Sequence, residues 1–345
     1  MPGTLHSVPG TPVSASRRRR RANRSDEASN ETSDEASHEA KASEMAQSKK
    51  SQADRSVAPP LPEPLRVAVA DSHTHLDMQD GTPEAGLAKA ASVGVTTVVQ
   101  VGCDLPGSRW AADLAARHGN VHATVSLHPN EAPRIVLGDP DGWSGQKRAP
   151  GGLSALDEAL AEIDALAALP QVRGVGETGL DYFRTGPEGV EIQQESFRRH
   201  IALAKKHGKA LVIHDRDAHE DVLRILREEG APERTVFHCY SGDAEMAKVC
   251  AEAGYYLSFA GPVTFPANQH LREALAVAPL DRVLIETDAP FLTPAPYRGR
   301  PNAPYLIPVT LRAMAAVRGL DEDAMATALA ANTARAFDYP LPAQD

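Results

Sequence analysis

The segment Asp71-Ser72-His73-Thr74-His75 follows directly on the apolar run Leu65 to Ala70. Residues two apart on an extended strand share a face, so His73 and His75 would present two imidazoles together at a strand's C-terminal end. Converging neutral imidazoles are the start of a metal site. A His-x-His pair is a short pattern, and alone it does not separate a ligand pair from an incidental one. Ligand-capable residues recur, however, just past later apolar runs. They are His128 in Ser126-Leu127-His128-Pro129, Glu177 in Gly176-Glu177-Thr178-Gly179-Leu180-Asp181-Tyr182, and His214 in Val212-Ile213-His214-Asp215-Arg216. His238 in Phe237-His238-Cys239-Tyr240-Ser241-Gly242 and Asp288 in Ile285-Glu286-Thr287-Asp288-Ala289-Pro290 complete the series.

A single polar residue at a strand end ordinarily meets solvent or caps a helix. Gathered at one rim around a shared cavity, such residues would be unpaired at high cost unless they hold something. Even four of the imidazoles with two carboxylates exceed the three protein ligands of one catalytic zinc-type ion, so two ions sharing a carboxylate fit the count better. Paired ions about 3.5–4 Å apart clamp the attacking and leaving oxygens of an in-line displacement on a phosphate ester, which points to hydrolysis. By contrast His6, His38, His118, His207, His219 and His270 fall in tail or helical stretches and read as surface residues.

These side chains need a scaffold that brings strand ends together. From residue 65 onward short β-rich apolar runs alternate with helical patterns, the signature of βα units around a parallel sheet. The runs are Val67 to Ala70, Thr96 to Val101, His122 to Leu127, Val172 to Gly176, Ala210 to Ile213, Thr235 to Phe237, Tyr255 to Phe259 and Val283 to Ile285. Amphipathic stretches lie between them, such as Pro83 to Val93, Leu153 to Ala168, Ile192 to His207, Ala218 to Glu229, Ala244 to Ala253 and Leu271 to Ala276. Eight strands predict an α/β fold of the (β/α)₈ TIM-barrel type, whose active site forms at the C-terminal strand ends. An open doubly wound sheet is the alternative. No Gly-x-Gly-x-x-Gly follows the first strand and no phosphate-cradling Gly-rich loop with Lys-Ser/Thr is present, which argues against nucleotide binding of those kinds. Residues 131–152, rich in Pro and Gly, read as a long surface loop after the third strand.

The first 60 or so residues, with almost no large apolar side chain, cannot bury enough surface to offset chain entropy. Residues 1–64 are therefore expected to be a disordered tail ending in a Pro-rich boundary, and 65–345 the barrel domain. The tail carries a basic block, Arg17 to Arg21, and a repeated Ser-Asp-Glu-Ala-Ser. A formal charge of −10 does not suit a protein that coats nucleic acid by electrostatics alone, so any such chemistry is local. Cys103, Cys239 and Cys250 form no Cys-x-x-Cys pair and read as small buried residues of a reducing compartment. With no apolar stretch near membrane length and no signal-peptide core, a cytoplasmic protein without membrane association is expected. No obligate protein partner is evident.

At these motifs the chain resembles the TatD-like metal-dependent deoxyribonucleases of the amidohydrolase-type barrels. The resemblance runs over about residues 69–340 and extends to Gln194-x-x-Phe197, His214-x-Arg216-x-Ala218, Ser258-Phe259-Ala260-Gly261, Arg300-x-Asn302-x-Pro304 and Asn332-Thr333. Ser126 stands where the family usually has Gly, the 131–152 segment is longer than typical, and the tail lies outside. The resemblance implies two divalent ions per subunit, one held by His73, His75, Glu177 and Asp288, the other by Glu177, His214 and His238. Glu177 would bridge them, and Asp288 would accept a proton from an activated water. His128 and Arg216 are expected to contact substrate, although Arg216 could instead pair with Asp181, Asp217 or Glu220. Tyr182 and Tyr240 could stack on a base or pack between loops. The family is usually magnesium-dependent, whereas four imidazoles suit Zn²⁺, Mn²⁺ or Co²⁺, so Mg²⁺, Mn²⁺ and Zn²⁺ all stay open. The implied activity is phosphodiester cleavage in DNA, at single-stranded ends. The alternatives are an ester or amide hydrolase with the same centre, such as one acting on a mischarged aminoacyl-tRNA, and a non-catalytic metal-binding scaffold.

Overall fold

The computed structural model describes residues 56–139 and 147–341. Eight strands run parallel in chain order: β1 (Val69–Thr74), β2 (Val95–Val101), β3 (Val121–Val125), β4 (Val172–Asp181), β5 (Ala210–Arg216), β6 (Thr235–Phe237), β7 (Tyr256–Phe259) and β8 (Val283–Ile285). The ring closes just beyond β8, where Ala289 bridges Thr74, the His75 N–H donates to the Ala289 carbonyl at 2.8 Å and the Asp288 N–H to the His73 carbonyl at 2.9 Å. The chain is a (β/α)₈ barrel, as its alternating pattern predicts.

The helices are α1 (Pro83–Ala91), α2 (Leu105–Arg117), α3 (Glu131–Leu137), α4 (Gly152–Ala167), α5 (Pro187–His207), α6 (His219–Glu229), α7 (Ala244–Glu252), α8 (Gln269–Val277), α9 (Ile307–Arg318) and α10 (Glu322–Phe337). Side-chain oxygens of Thr82, Asp104, Asp243 and Asp321 cap the first turns of α1, α2, α7 and α10.

Alternation along the strands gives the barrel its layers. Val99, Val212, Val236 and Leu284 form an apolar cluster with Phe337 and Tyr339 from the end of α10, separate from the larger core between strands and helices. One inward step further along the chain stand Val101, His214, His238 and Glu286. An apolar plug thus lies beneath the polar mouth.

Two expectations change. β1, β4 and β5 continue past their apolar runs, so His73, Glu177 and His214 lie within strands rather than beyond them. The β4–β5 register shifts between Val175 and Thr178, around Glu177, and then resumes with Gly179 opposite His214 and Asp181 opposite Arg216. Gly179 permits that approach: its φ is +135° and a Cβ there would collide with the His214 carbonyl oxygen. The 131–152 segment is not all loop, since it opens with α3, and an Asp139–Arg148 bridge brings the chain back. Buried Glu131 accepts from Arg134 at 2.7 Å and Arg148 at 2.5 Å, which ties this excursion down. Residues 140–146 lie outside the described residues.

Ahead of β1 the chain is held along the barrel wall. Tyr305 Oη donates to the buried Pro59 carbonyl at 2.7 Å, Arg300 to those of Val57 and Ala58, and Arg312 to that of Glu63. The expected disordered tail falls, for residues 1–55, outside the described residues. Among the described residues no helix is long and apolar enough to cross a membrane.

Candidate metal centre

β1, β4, β5 and β6 and the segment after β8 deliver their side chains to one point. Glu177 lies at the middle, and its two oxygens face different neighbours. Oε2 lies 3.3 Å from His73 Nε2 and 4.0 Å from His75 Nε2, and Asp288 Oδ1 completes that group at 3.7 and 3.5 Å from the same nitrogens. Oε1 lies 2.5 Å from His214 Nδ1, 2.9 Å from His238 Nε2 and 3.4 Å from His128 Nε2. The His73 and His238 rings stack with centroids 3.8 Å apart. All the expected ligand residues, with His128, are therefore gathered in one cluster.

The surroundings aim these rings. His75 Nδ1 lies 3.2 Å from the Val101 carbonyl, and His238 Nδ1 lies 3.1 Å from Glu286 Oε1. A proton on each Nδ1 satisfies those acceptors and turns a bare Nε2 towards the cluster, the usual way an imidazole ligand is oriented. His128 is different. Its Nδ1 accepts the Asn130 N–H at 3.1 Å, so while neutral it carries its proton on Nε2 and presents a donor rather than a lone pair.

Backbone strain is concentrated at this rim. Asp217, Cys239, Asp288 and Leu292 adopt positive φ of 56°, 40°, 54° and 59°, each just beyond β5, β6 or β8. Such conformations cost about 1–3 kcal/mol each and persist where surrounding contacts enforce them. For Asp288 the enforcing contact is its N–H bond to the His73 carbonyl.

Charge is balanced within the group. Burial and neighbouring His238 hold the His73 pKa down at about 4, so its ring is neutral at neutral pH. Burial opposes the ionised form of Glu177, yet His238 and His128 outweigh it and hold its pKa well below the carboxylate range. Burial likewise opposes protonation of His238, but Glu177 and Glu286 raise its pKa well above the ordinary value.

The residues fit a metal. His73 is fully buried and neither ring nitrogen makes a hydrogen bond, although Nε2 faces two carboxylates. A buried orphaned imidazole aimed at carboxylates is what a cation would satisfy. Four overlapping sets of potential ligand atoms arise within 4.8 Å of one another: His73/Glu177/His238, His73/His75/Asp288, His128/Glu177/His214 and His75/Cys103/Glu177.

The sequence reading missed three contributors. Cys103, beyond β2, brings Sγ to 3.7 Å from Glu177 Oε2 rather than serving only as core filling. Asp181 Oδ2 lies 3.4 Å from His214 Nε2, and Glu286 also accepts the Cys239 N–H at 2.6 Å. Asp181 and Glu286 stand in motifs already quoted, and their signal was inward parity with Glu177 and Asp288. Arg216 pairs with no carboxylate among the described residues; its guanidinium lies 3.9 Å over the Phe183 ring. Tyr182 donates to Asp221 Oδ2 on α6 at 2.8 Å and buried Tyr240 to the Asp243 carbonyl ahead of α7 at 2.7 Å, so both hydroxyls are engaged within the protein. His118, His207 and His219 are partly buried and lie near Glu84, Asp164 and Asp215, while His270 is exposed. His6 and His38 lie outside the described residues.

Residues 70–338 match the family model described as TatD related DNase. The chain belongs to the TatD family. It is 40% identical over 277 residues to the uncharacterized metal-dependent hydrolase TatD of Mycobacterium tuberculosis, covering 78% of this chain and 97% of that protein. It is 35% identical to YabD of Bacillus subtilis over 77% of this chain and 98% of that one, also described as an uncharacterized metal-dependent hydrolase. Among solved structures, the TatD homologue YjjV of Escherichia coli superposes with a TM-score of 0.68 at 27% identity, over 79% of this chain and 98% of that chain. This TatD-family member is accordingly a metal-dependent hydrolase built on a TIM barrel.

Proposed function

We propose that this chain cleaves phosphodiester bonds of DNA at single-stranded ends, using two divalent ions. The observation that carries the reading is the division of Glu177, with Oε2 towards His73 and His75 and Oε1 towards His214 and His238. One carboxylate facing two nitrogen groups is the arrangement of a bridging ligand. The first ion would be held by His73, His75, Glu177 and Asp288, the second by Glu177, His214 and His238. Ions bound there supply Lewis acidity towards water and towards phosphoryl oxygens. The imidazole-rich donor set suits Zn²⁺ or Mn²⁺ better than Mg²⁺.

The chain's own groups do the rest. Asp288, held by its backbone bond to β1, accepts the proton that the attacking water gives up. His128 offers its Nε2 proton to a non-bridging phosphoryl oxygen, and Arg216 supplies local positive charge on an otherwise acidic protein. The description of the matched family as a DNase supports DNA as substrate.

The test is a substrate panel on protein whose metal content is first measured by elemental analysis. End-labelled single-stranded DNA should be shortened at low enzyme, with two metal equivalents per chain. E177Q and D288N should each lower turnover roughly a hundredfold or more while retaining cooperative unfolding. Consumption of aminoacyl-tRNA instead of DNA would move the assignment to the ester reading, and unchanged turnover in both variants would remove the mechanism.

A further inference from the structure

With Tyr182 and Tyr240 engaged in packing, other rings face the mouth. Among the described phenylalanines, tyrosines and tryptophan only Phe183 and Phe291 are exposed, at 63% and 52%. Phe183 stands two residues past the end of β4, and Phe291 three residues past Asp288 in the segment after β8. In a ring of eight strands in chain order β4 and β8 lie opposite each other. The two rings therefore flank the mouth from opposite sides, with the Glu177 cluster between them. Arg216 lies against Phe183 at 3.9 Å, and Phe291 meets His75 edge-on with centroids 6.2 Å apart.

We propose that Phe183 and Phe291 are stacking platforms for two nucleobases of a single strand, one on either side of the phosphodiester lying over the cluster. The inference rests on the nucleic-acid reading above and adds to it how substrate is gripped. Two separate rings across a polar cavity are not the contiguous apolar patch that a protein partner covers. Bases in a duplex have their faces already stacked, so free faces come from a single strand or a frayed end. On a chain of net charge −10, backbone attraction is weak, and stacking supplies the grip that a basic groove provides elsewhere. Arg216 beside Phe183 puts the positive charge where a stacked nucleotide carries its phosphate.

The experiment uses the metal-loaded full chain and short single-stranded oligonucleotides with 2-aminopurine or an abasic site at either of the two positions flanking the cleaved bond. In the wild type 2-aminopurine fluorescence should be quenched on binding at both positions. F183A should lose the quenching at one position and F291A at the other, while F183W and F291W keep it. The ratio of kcat/KM on intact against abasic oligonucleotide should fall roughly ten- to hundredfold in the matching alanine variant. Quenching and ratios unaltered in both alanine variants would overturn the platforms. Cleavage with unaltered ratios removes the platforms alone, quenching without cleavage removes the nuclease reading alone, and neither quenching nor cleavage removes both.

Discussion

His200 on α5 allows a quantitative test of how the wall behind the site is held. Its ring is fully buried, with Nδ1 2.7 Å from the Ser196 carbonyl and Nε2 accepting the Leu127 N–H at 3.1 Å, one residue before His128. That pattern fixes the neutral tautomer with the proton on Nδ1. Burial, only partly opposed by the Ser196 carbonyl, lowers its pKa to about 4 from an ordinary value near 6.5. The sign follows from linkage. The unfolded chain takes up a proton near pH 6.5 and the folded chain refuses it until about pH 4, so His200 leaves stability untouched above pH 7 and erodes it as pH falls. The shift amounts to about 3 kcal/mol in full, of which about 2 kcal/mol is lost by pH 5.

The perturbation is H200Q, which has no titrating ring but can still accept the Leu127 N–H. At pH 8 the variant should be less stable than wild type by about 1–3 kcal/mol, because a buried hydrogen bond is lost or bent. Urea unfolding of both full-length proteins, at equal metal concentration from pH 8 to pH 5, should show that gap closing by about 2 kcal/mol. His122, whose pKa burial and Arg173 also lower to about 4, titrates in both proteins and cancels. A gap that stays constant with pH would refute the argument, because His200 would then charge in the folded state at no penalty.

Three further outcomes concern the centre. Chelation should lower the unfolding temperature, and readdition of Zn²⁺ or Mn²⁺ at a hundred times its dissociation constant should restore about 2.7 kcal/mol, read by calorimetry. Because Glu177 and its neighbours raise the His214 and His238 pKa values against burial, metal displaces protons there, and affinity measured by competition should rise with pH. E286Q removes the carboxylate that orients His238 through Nδ1, and should weaken metal binding roughly 10- to 100-fold without unfolding the barrel.

The barrel and the ligand cluster were legible because both depend on local pattern. Glu177, His214 and His238 each stand two residues past an apolar position, Val175, Val212 and Val236, and share its face, and polar residues recurring at the other strand ends announce the same rim. What could not be read depends on partners far along the chain. His200 meets Leu127 across 73 positions, and no neighbour in sequence marks its ring as buried. Tyr182 and Tyr240 looked free to stack because their acceptors, Asp221 on α6 and the Asp243 carbonyl ahead of α7, come within reach only through tertiary packing. α3 was hidden by its shortness and by Pro133, which a first turn tolerates but which reads as loop.

Depth along a strand decides the rest, and parity cannot supply it. Asp71, His73 and His75 share one face, yet only the two histidines reach the cluster. Asp71 sits a step lower, fully buried, where it accepts from the His73 N–H at 3.2 Å and from both the N–H and the hydroxyl of Thr287. Glu286 repeats this beneath Asp288, accepting the Cys239 N–H below a mouth that Asp288 enters. The two acids lie on either side of the β8–β1 seam, and each fixes the backbone from which a ligand projects. Burial raises the Asp71 pKa to about 7 even against those hydrogen bonds, so near neutral pH this carboxyl is only partly ionised. An acid one step beneath a ligand is thus a clamp on the neighbouring strand end. The same residue type one step higher faces the ligand cluster, and only the layer tells the two apart.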